Sequence, residues 1–150
     1  MPVAQLVPAG RSVADIGTGD GKLAAWLAAA GHQVIATENK PGPREEALRV
    51  LRPLGIECRL GEGLEPIRPG EVEVAVIAGM GGRTILRILA GSPHVVGSLE
   101  ALVVQPMHHS EELRAELLAR GYRVSRGQEI EQRSRGYSAL LILPPYSIAK

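Results

Sequence analysis

The chain has 150 residues, 45% of them hydrophobic and 22% charged, with a net charge of +1. That length suits a single domain spanning 1–150 with a core of its own, and a charge so near zero does not by itself announce a nucleic-acid binder. No apolar run reaches the about 18 residues that span a bilayer, and the N-terminus MPVAQLVPAGR lacks a signal-peptide pattern, so a cytoplasmic protein without membrane contact is expected, as a monomer.

In chain order, short β-branched runs alternate with amphipathic stretches. SVADI (12–16) precedes a helical pattern over 22–30, QVIAT (33–37) precedes one over 44–51, and IECRL (56–60) is followed by VEVAVIA (72–78). A helical pattern over 83–89 leads to ALVVQ (101–105), and another over 110–119 leads to YRVSRGQEI and YSALLILP. Strand alternating with helix predicts a mostly parallel sheet of seven strands covered on both faces, an α/β fold of Rossmann-like type. The last two strands are joined by too short a stretch for a helical crossover, so they should pair antiparallel at the sheet's end. Cys58 alternates with Ile56 and reads as a buried, inert thiol. Trp26 reads as core. Beyond the pair His108–His109 no cluster at metal-ligand spacing occurs, and no metal is expected.

In such sheets ligands bind outside the carboxyl ends of the strands. The first strand ends VADIGTGDGK, where Asp15, Gly17, Gly19 and Gly21 lead into a helix whose start offers unpaired N–H groups. The second ends at Glu38, 21 residues after Gly17, a carboxylate able to accept from both hydroxyls of a ribose. The third is followed by RLGEGL, with Glu62 between Gly61 and Gly63. The fourth runs VIAGMGG through Ala78, Gly79, Met80, Gly81 and Gly82, and the fifth ends at Gln105 and Pro106. The glycines read either as a plain strand-to-helix turn or as backbone brought close to a ligand.

A dinucleotide pattern fits Gly19, Gly21 and Ala24 with Glu38 at the usual distance. Against it, 150 residues leave no space for a dehydrogenase's substrate domain, and Asp15 would repel a pyrophosphate but attract the ammonium and sulfonium of S-adenosylmethionine. A methyltransferase using that cofactor is therefore the expectation.

VADIG, ATENKPGP, RLGEGL, VIAGMGGRTI, VVQPM with ELRAELL, and RGYSALLI together resemble the bacterial tRNA (adenine-N1)-methyltransferases of the TrmK type, class I S-adenosylmethionine-dependent enzymes, over about residues 11–143. The resemblance implies that Asp15, Gly17, Gly19, Glu38, Glu62, Gly63, Ala78 and Gly79 contact S-adenosylmethionine. It implies further that Met80, Gly81, Gly82, Gln105, Pro106 and Tyr137 face an adenine in the D-arm region of tRNA. Gly19 and Asp20 stand where members commonly have Asp-His, Met107 stands where they commonly have asparagine, and the helical extension that members carry beyond the last strand is not covered. Asp20 reads first as an N-cap and Tyr137 as core packing. Gln105 reads equally as a strand-end hydrogen-bonding group, and Asp20 and Gln105 are the groups that could orient the adenine amino group. A small-molecule methyltransferase and a silent S-adenosylmethionine-binding or RNA-binding module are the alternatives. Six late arginines (Arg114, Arg120, Arg123, Arg126, Arg133, Arg135) read as a mixed-charge face, with phosphate binding as the second reading.

Overall fold

The run VADI is buried at every position and forms β1 (Val13–Ile16) at the centre of the sheet. In the computed structural model, which describes residues 2–132 and 135–145 (2, 128–132 and 135–138 by backbone alone), it is followed by α2 (Lys22–Ala29), β2 (Val34–Glu38), α3 (Pro41–Leu51) and β3 (Glu57–Leu60). The second half contains β4 (Val74–Met80), α4 (Gly82–Gly91), α5 (Pro93–Ser98), β5 (Ala101–Pro106), α6 (Ser110–Ala119), β6 (Arg123–Gln132) and β7 (Arg135–Leu143). A four-residue helix α1 (Pro2–Gln5) precedes them all. The order across the sheet is β3-β2-β1-β4-β5-β7-β6. The first five strands in that order pair parallel, and β7 runs antiparallel to both β5 and β6, as the alternation of patterns predicted.

Because side chains alternate along a strand, each central strand feeds two cores. Ala14, Ile16, Ala75, Ile77, Leu102 and Val104 pack under α4 and α6 with Ile85, Leu89, Leu113 and Leu117. Val13, Val74, Val76, Ala101 and Val103 face the other way, against Leu6 and Leu27. A third cluster seats α3 through Ala47, Leu48 and Leu51 on Ala36, Ile56 and Cys58, which is buried as expected.

Four features differ from the sequence expectation. Helix α3 starts at Pro41 rather than residue 44, because the first turn of a helix makes no use of the N–H that proline lacks. The short helices α1 and α5 are too brief to show a period. Strand β4 runs on to Met80, with a register shift between Ala78 and Met80 that leaves Gly79 as a bulge. Trp26, expected in the core, is 50% exposed; α2 buries Ala24 and Leu27 instead. None of the described helices is long and apolar enough to cross a membrane.

Candidate functional site

The carboxyl ends of β1, β2, β3 and β4 surround a cavity of about 470 Å³, a size ordinary for a small-molecule or cofactor site. The end of β1 and the first residue of the loop after it, Ile16 and Gly17, line it. Gly17, Gly19 and Gly21 all have positive φ, 68°, 60° and 81°, so the backbone winds through left-handed turns that side-chain-bearing residues rarely adopt. A Cβ on Gly17 would meet the methyl of Met80, the far end of a flexible side chain that can shift, so the positive φ rather than this contact is what favours glycine there.

The loop is joined to β2 by the Thr18 N–H, which donates to the Thr37 carbonyl at 2.8 Å. Glu38 closes that wall. It is 8% exposed, and its two oxygens accept the backbone N–H groups of Gly19 at 3.2 Å and Asn39 at 3.1 Å. Each carboxylate oxygen retains capacity for a further hydrogen bond. Asn39 extends the chain of contacts by donating its side-chain amide to Glu62 at 2.9 Å. On the opposite side stand Ala78, Gly79 and Met80 from β4 and Thr84, Arg87 and Ile88 from α4. Gly79 has φ 76° and no atom within 4 Å of where its Cβ would be, so the bulge presents bare backbone to open space.

Gly17, Glu38, Glu62, Gly63, Ala78, Gly79 and Met80, singled out from the sequence, thus line one cavity together. Asp15 lies beneath it rather than in it: 3% exposed, it accepts the Thr18 hydroxyl at 2.8 Å. Burial chiefly, opposed by that hydrogen bond and reinforced by Asp20 and Glu38, pushes its carboxyl up to about 7. Gly19 spends its N–H on Glu38. Asp20 is exposed and accepts the Lys22 N–H at 3.0 Å, but the N-cap that the sequence suggested for it is held by Gly21, with no side-chain cap bond. Gly81, Gly82, Gln105 and Pro106 do not line the cavity but flank its β4–β5 end, with Ala78 opposite Gln105 and Met80 opposite Pro106. The side chain of Tyr137 lies outside those described.

Asn39, Glu65, Thr84, Arg87 and Ile88 line the cavity without having been singled out. The last three fall at i, i+3 and i+4, one face of a helix, and that spacing is the signal that could have found them. Three carboxylates, Glu38, Glu62 and Glu65, share the wall with one cation, Arg87. Such a surface repels a pyrophosphate and suits a ligand carrying positive charge. Among the described residues no group of three His, Cys, Asp or Glu stands close enough to hold a metal ion.

The family model described as a methyltransferase domain matches residues 1–140. A curated relative from Bacillus subtilis (strain 168), named tRNA (adenine(22)-N(1))-methyltransferase, is 33% identical over 146 residues, 93% of this chain; the chain spans 61% of that relative's length. The crystal structure of the B. subtilis m1A22 tRNA methyltransferase TrmK superimposes with a TM-score of 0.85 at 32% identity, covering 95% of this chain and 64% of the other. A Streptococcus pneumoniae protein solved in complex with S-adenosyl-L-methionine matches with a TM-score of 0.88 at 29% identity, over 99% of this chain and 73% of the other.

Proposed function

We propose that this chain, which belongs to the methyltransferase-domain family, binds S-adenosylmethionine in the cavity and transfers its methyl group to N1 of an adenine in tRNA, in the D-arm region. The observation that carries the reading is Glu38, fixed at the end of β2 by two backbone N–H groups, in the wall that faces the bare backbone of Gly79. Glu38 takes the ribose hydroxyls, the loop at Gly17 runs under the amino-acid part, and Glu62 and Gly63 border the adenine end. Asp15, a buried carboxyl below the loop, is drawn toward its ionised form by a cationic ligand above it.

Bound there, S-adenosylmethionine supplies an electrophilic methyl on a positively charged sulfur. Adenine N1 has a lone pair and no proton, so no residue has to act as a base. The chain's contribution is alignment and exclusion of water. Gly79 leaves the approach to the methyl clear because no side chain projects from the bulge. Gln105, level with Ala78 on the adjoining strand, is the residue we assign to the adenine amino group. The reading treats residues 1–150 as one catalytic domain, and a cytoplasmic location fits an activity directed at tRNA.

Incubation with bulk tRNA and methyl-labelled cofactor, followed by mapping of the modified nucleotide, tests the proposal. Label at N1 of an adenine is expected. Label confined to small molecules would make this a small-molecule methyltransferase, and cofactor binding without turnover would make it a binding module.

A further inference from the structure

Backbone hydrogen bonds tie the end of β4 to the loop after β5. The Met107 N–H donates to the Met80 carbonyl at 2.7 Å, and the Gly82 N–H donates to the His108 carbonyl at 3.0 Å. The contact is so close that a Cβ on Gly82 would stand 3.0 Å from the His109 carbonyl oxygen and 3.2 Å from that of His108. Two methionines are therefore held on neighbouring strand ends. Met80 turns inward, its methyl reaching the space above Gly17. Met107 stays outside, 38% exposed, which is unusual for a side chain normally found inside. The other exposed large apolar side chains, Trp26, Val50, Leu54, Leu60 and Leu118, lie on α2, on α3 and the turn after it, on the edge strand β3 and on α6. Met107 alone follows the strand paired with β4.

On either side of Met80 in the chain the backbone at Gly79 and Gly81 is bare, and a Cβ at either position meets nothing within 4 Å. Trp26, on α2, and Tyr122, buried beyond the carboxyl end of α6, lie away from this end of the cavity, where the rings that follow Met107 are the imidazoles of His108 and His109. We infer that Met107 is a base-contacting, specificity-determining residue, whose thioether brackets the acceptor purine together with Met80 over the open backbone of Gly79 and Gly81. A polarisable sulfur makes favourable contacts with an aromatic ring without imposing a hydrogen-bond direction, so it holds a purine in place and leaves N1 free to react. The inference rests on the tRNA reading above.

Oxidative footprinting reads the contact without relying on turnover. Peroxide converts exposed methionine to its sulfoxide, and mass spectrometry follows Met80 and Met107 separately. Demethylated cofactor alone should slow oxidation of Met80 and leave Met107 unchanged, whereas saturating tRNA should slow Met107 several-fold. Met107→Ala should raise KM for tRNA about two- to tenfold, the range of a sulfur–aromatic contact, with cofactor Kd and Tm unchanged, and Met107→Leu, which keeps the bulk but not the sulfur, should recover only part of it. A wild-type chain that transfers no methyl to tRNA removes the RNA reading and this inference with it. Transfer to tRNA with Met107 oxidised at its free rate, or with KM unaltered in Met107→Ala, overturns the inference alone.

Discussion

Glycine, glutamate and aspartate at the strand ends make different demands on the fold, and the demands decide which substitutions are informative. Gly79 has φ 76°, so any side chain there strains the backbone whatever it does to catalysis. Gly81 has φ −67°, open space around it and the N-cap position of α4. Serine is a better N-cap than glycine by a few tenths of a kcal/mol, so Gly81→Ser should hold or raise Tm. If the acceptor base lies over this backbone, its methyl transfer should still fall, since displacement of about 1 Å costs roughly a hundredfold in rate; undiminished transfer would move the base elsewhere. Glu38→Gln removes the charge but keeps an amide, and should weaken S-adenosylmethionine by about 1.5–3 kcal/mol in calorimetry as charge-assisted hydrogen bonds are lost. Asp15 gives a pH signature. Its carboxyl is raised in the fold to about 7, so the stability it contributes is complete below the unfolded value near 4 and disappears as pH rises through about 7. Tm of the ligand-free protein should therefore decline between pH 4 and 7 more steeply than in Asp15→Asn and run parallel to it above that; curves parallel throughout would show that Asp15 is already ionised in the fold.

Among the elements, those carrying a clear period were legible and those without one were not. Helix α4 buries Gly82, Ile85 and Leu89 along one stripe and was readable. Helix α2 reads KLAAWLAA, apolar on every side, so nothing in the pattern said that Ala24 and Leu27 would face the sheet and Trp26 would not. The edge strand β3 shows a role for arginine that composition conceals. Arg44 donates from Nε to the Cys58 carbonyl at 2.8 Å, occupying an acceptor on the open edge. Arg59 donates to the Pro66 carbonyl at 2.8 Å and to Glu71 at 2.7 Å, pinning the turn segment that follows. The Arg59 guanidinium holds the Glu71 carboxyl down at about 2, so this stabilisation is present above the usual carboxylate range and is lost as pH falls toward 2. Glu71→Gln should cost about 1–2 kcal/mol in denaturant melts at pH 7 and nothing further at pH 2; an equal Tm at pH 7 would mean that the pair is solvated in both states.

At the scale of the molecule, the strand order made half of the cavity readable, because parallel strands deliver their carboxyl ends to one side of the sheet. Gly17, Glu38, Glu62 and Ala78 follow from that rule alone. Thr84, Arg87 and Ile88 do not, since they depend on how the turns after β3 bring Gly63 against α4, where a Cβ would stand 3.0 Å from Ile88. The same topology separates the arginines. Arg123 pairs with Leu143, and Ile142 beside it pairs with Leu102 near the start of β5, so Arg123 lies at the end of the sheet opposite the cavity. Arg120, after α6, is bonded to Glu116 at 3.0 Å. Arg83 instead opens α4 beside the cavity's β4 end, with its side chain 78% exposed and its nearest carboxylate, Glu112, at 3.9 Å. An arginine that neutralises a phosphate releases a counterion, which makes the logarithm of affinity fall with the logarithm of salt by about 0.7–0.9 per contact. Arg83→Gln should therefore flatten the salt dependence of tRNA binding by about that amount, while the double change Arg120→Gln, Arg123→Gln should leave the slope as it is. Filter-binding titrations from low to physiological salt distinguish the two cases. A slope altered by the double change and not by Arg83→Gln would mean that RNA lies along β6 and α6, and that the acceptor base reaches the cavity from the β7 side instead of across α4.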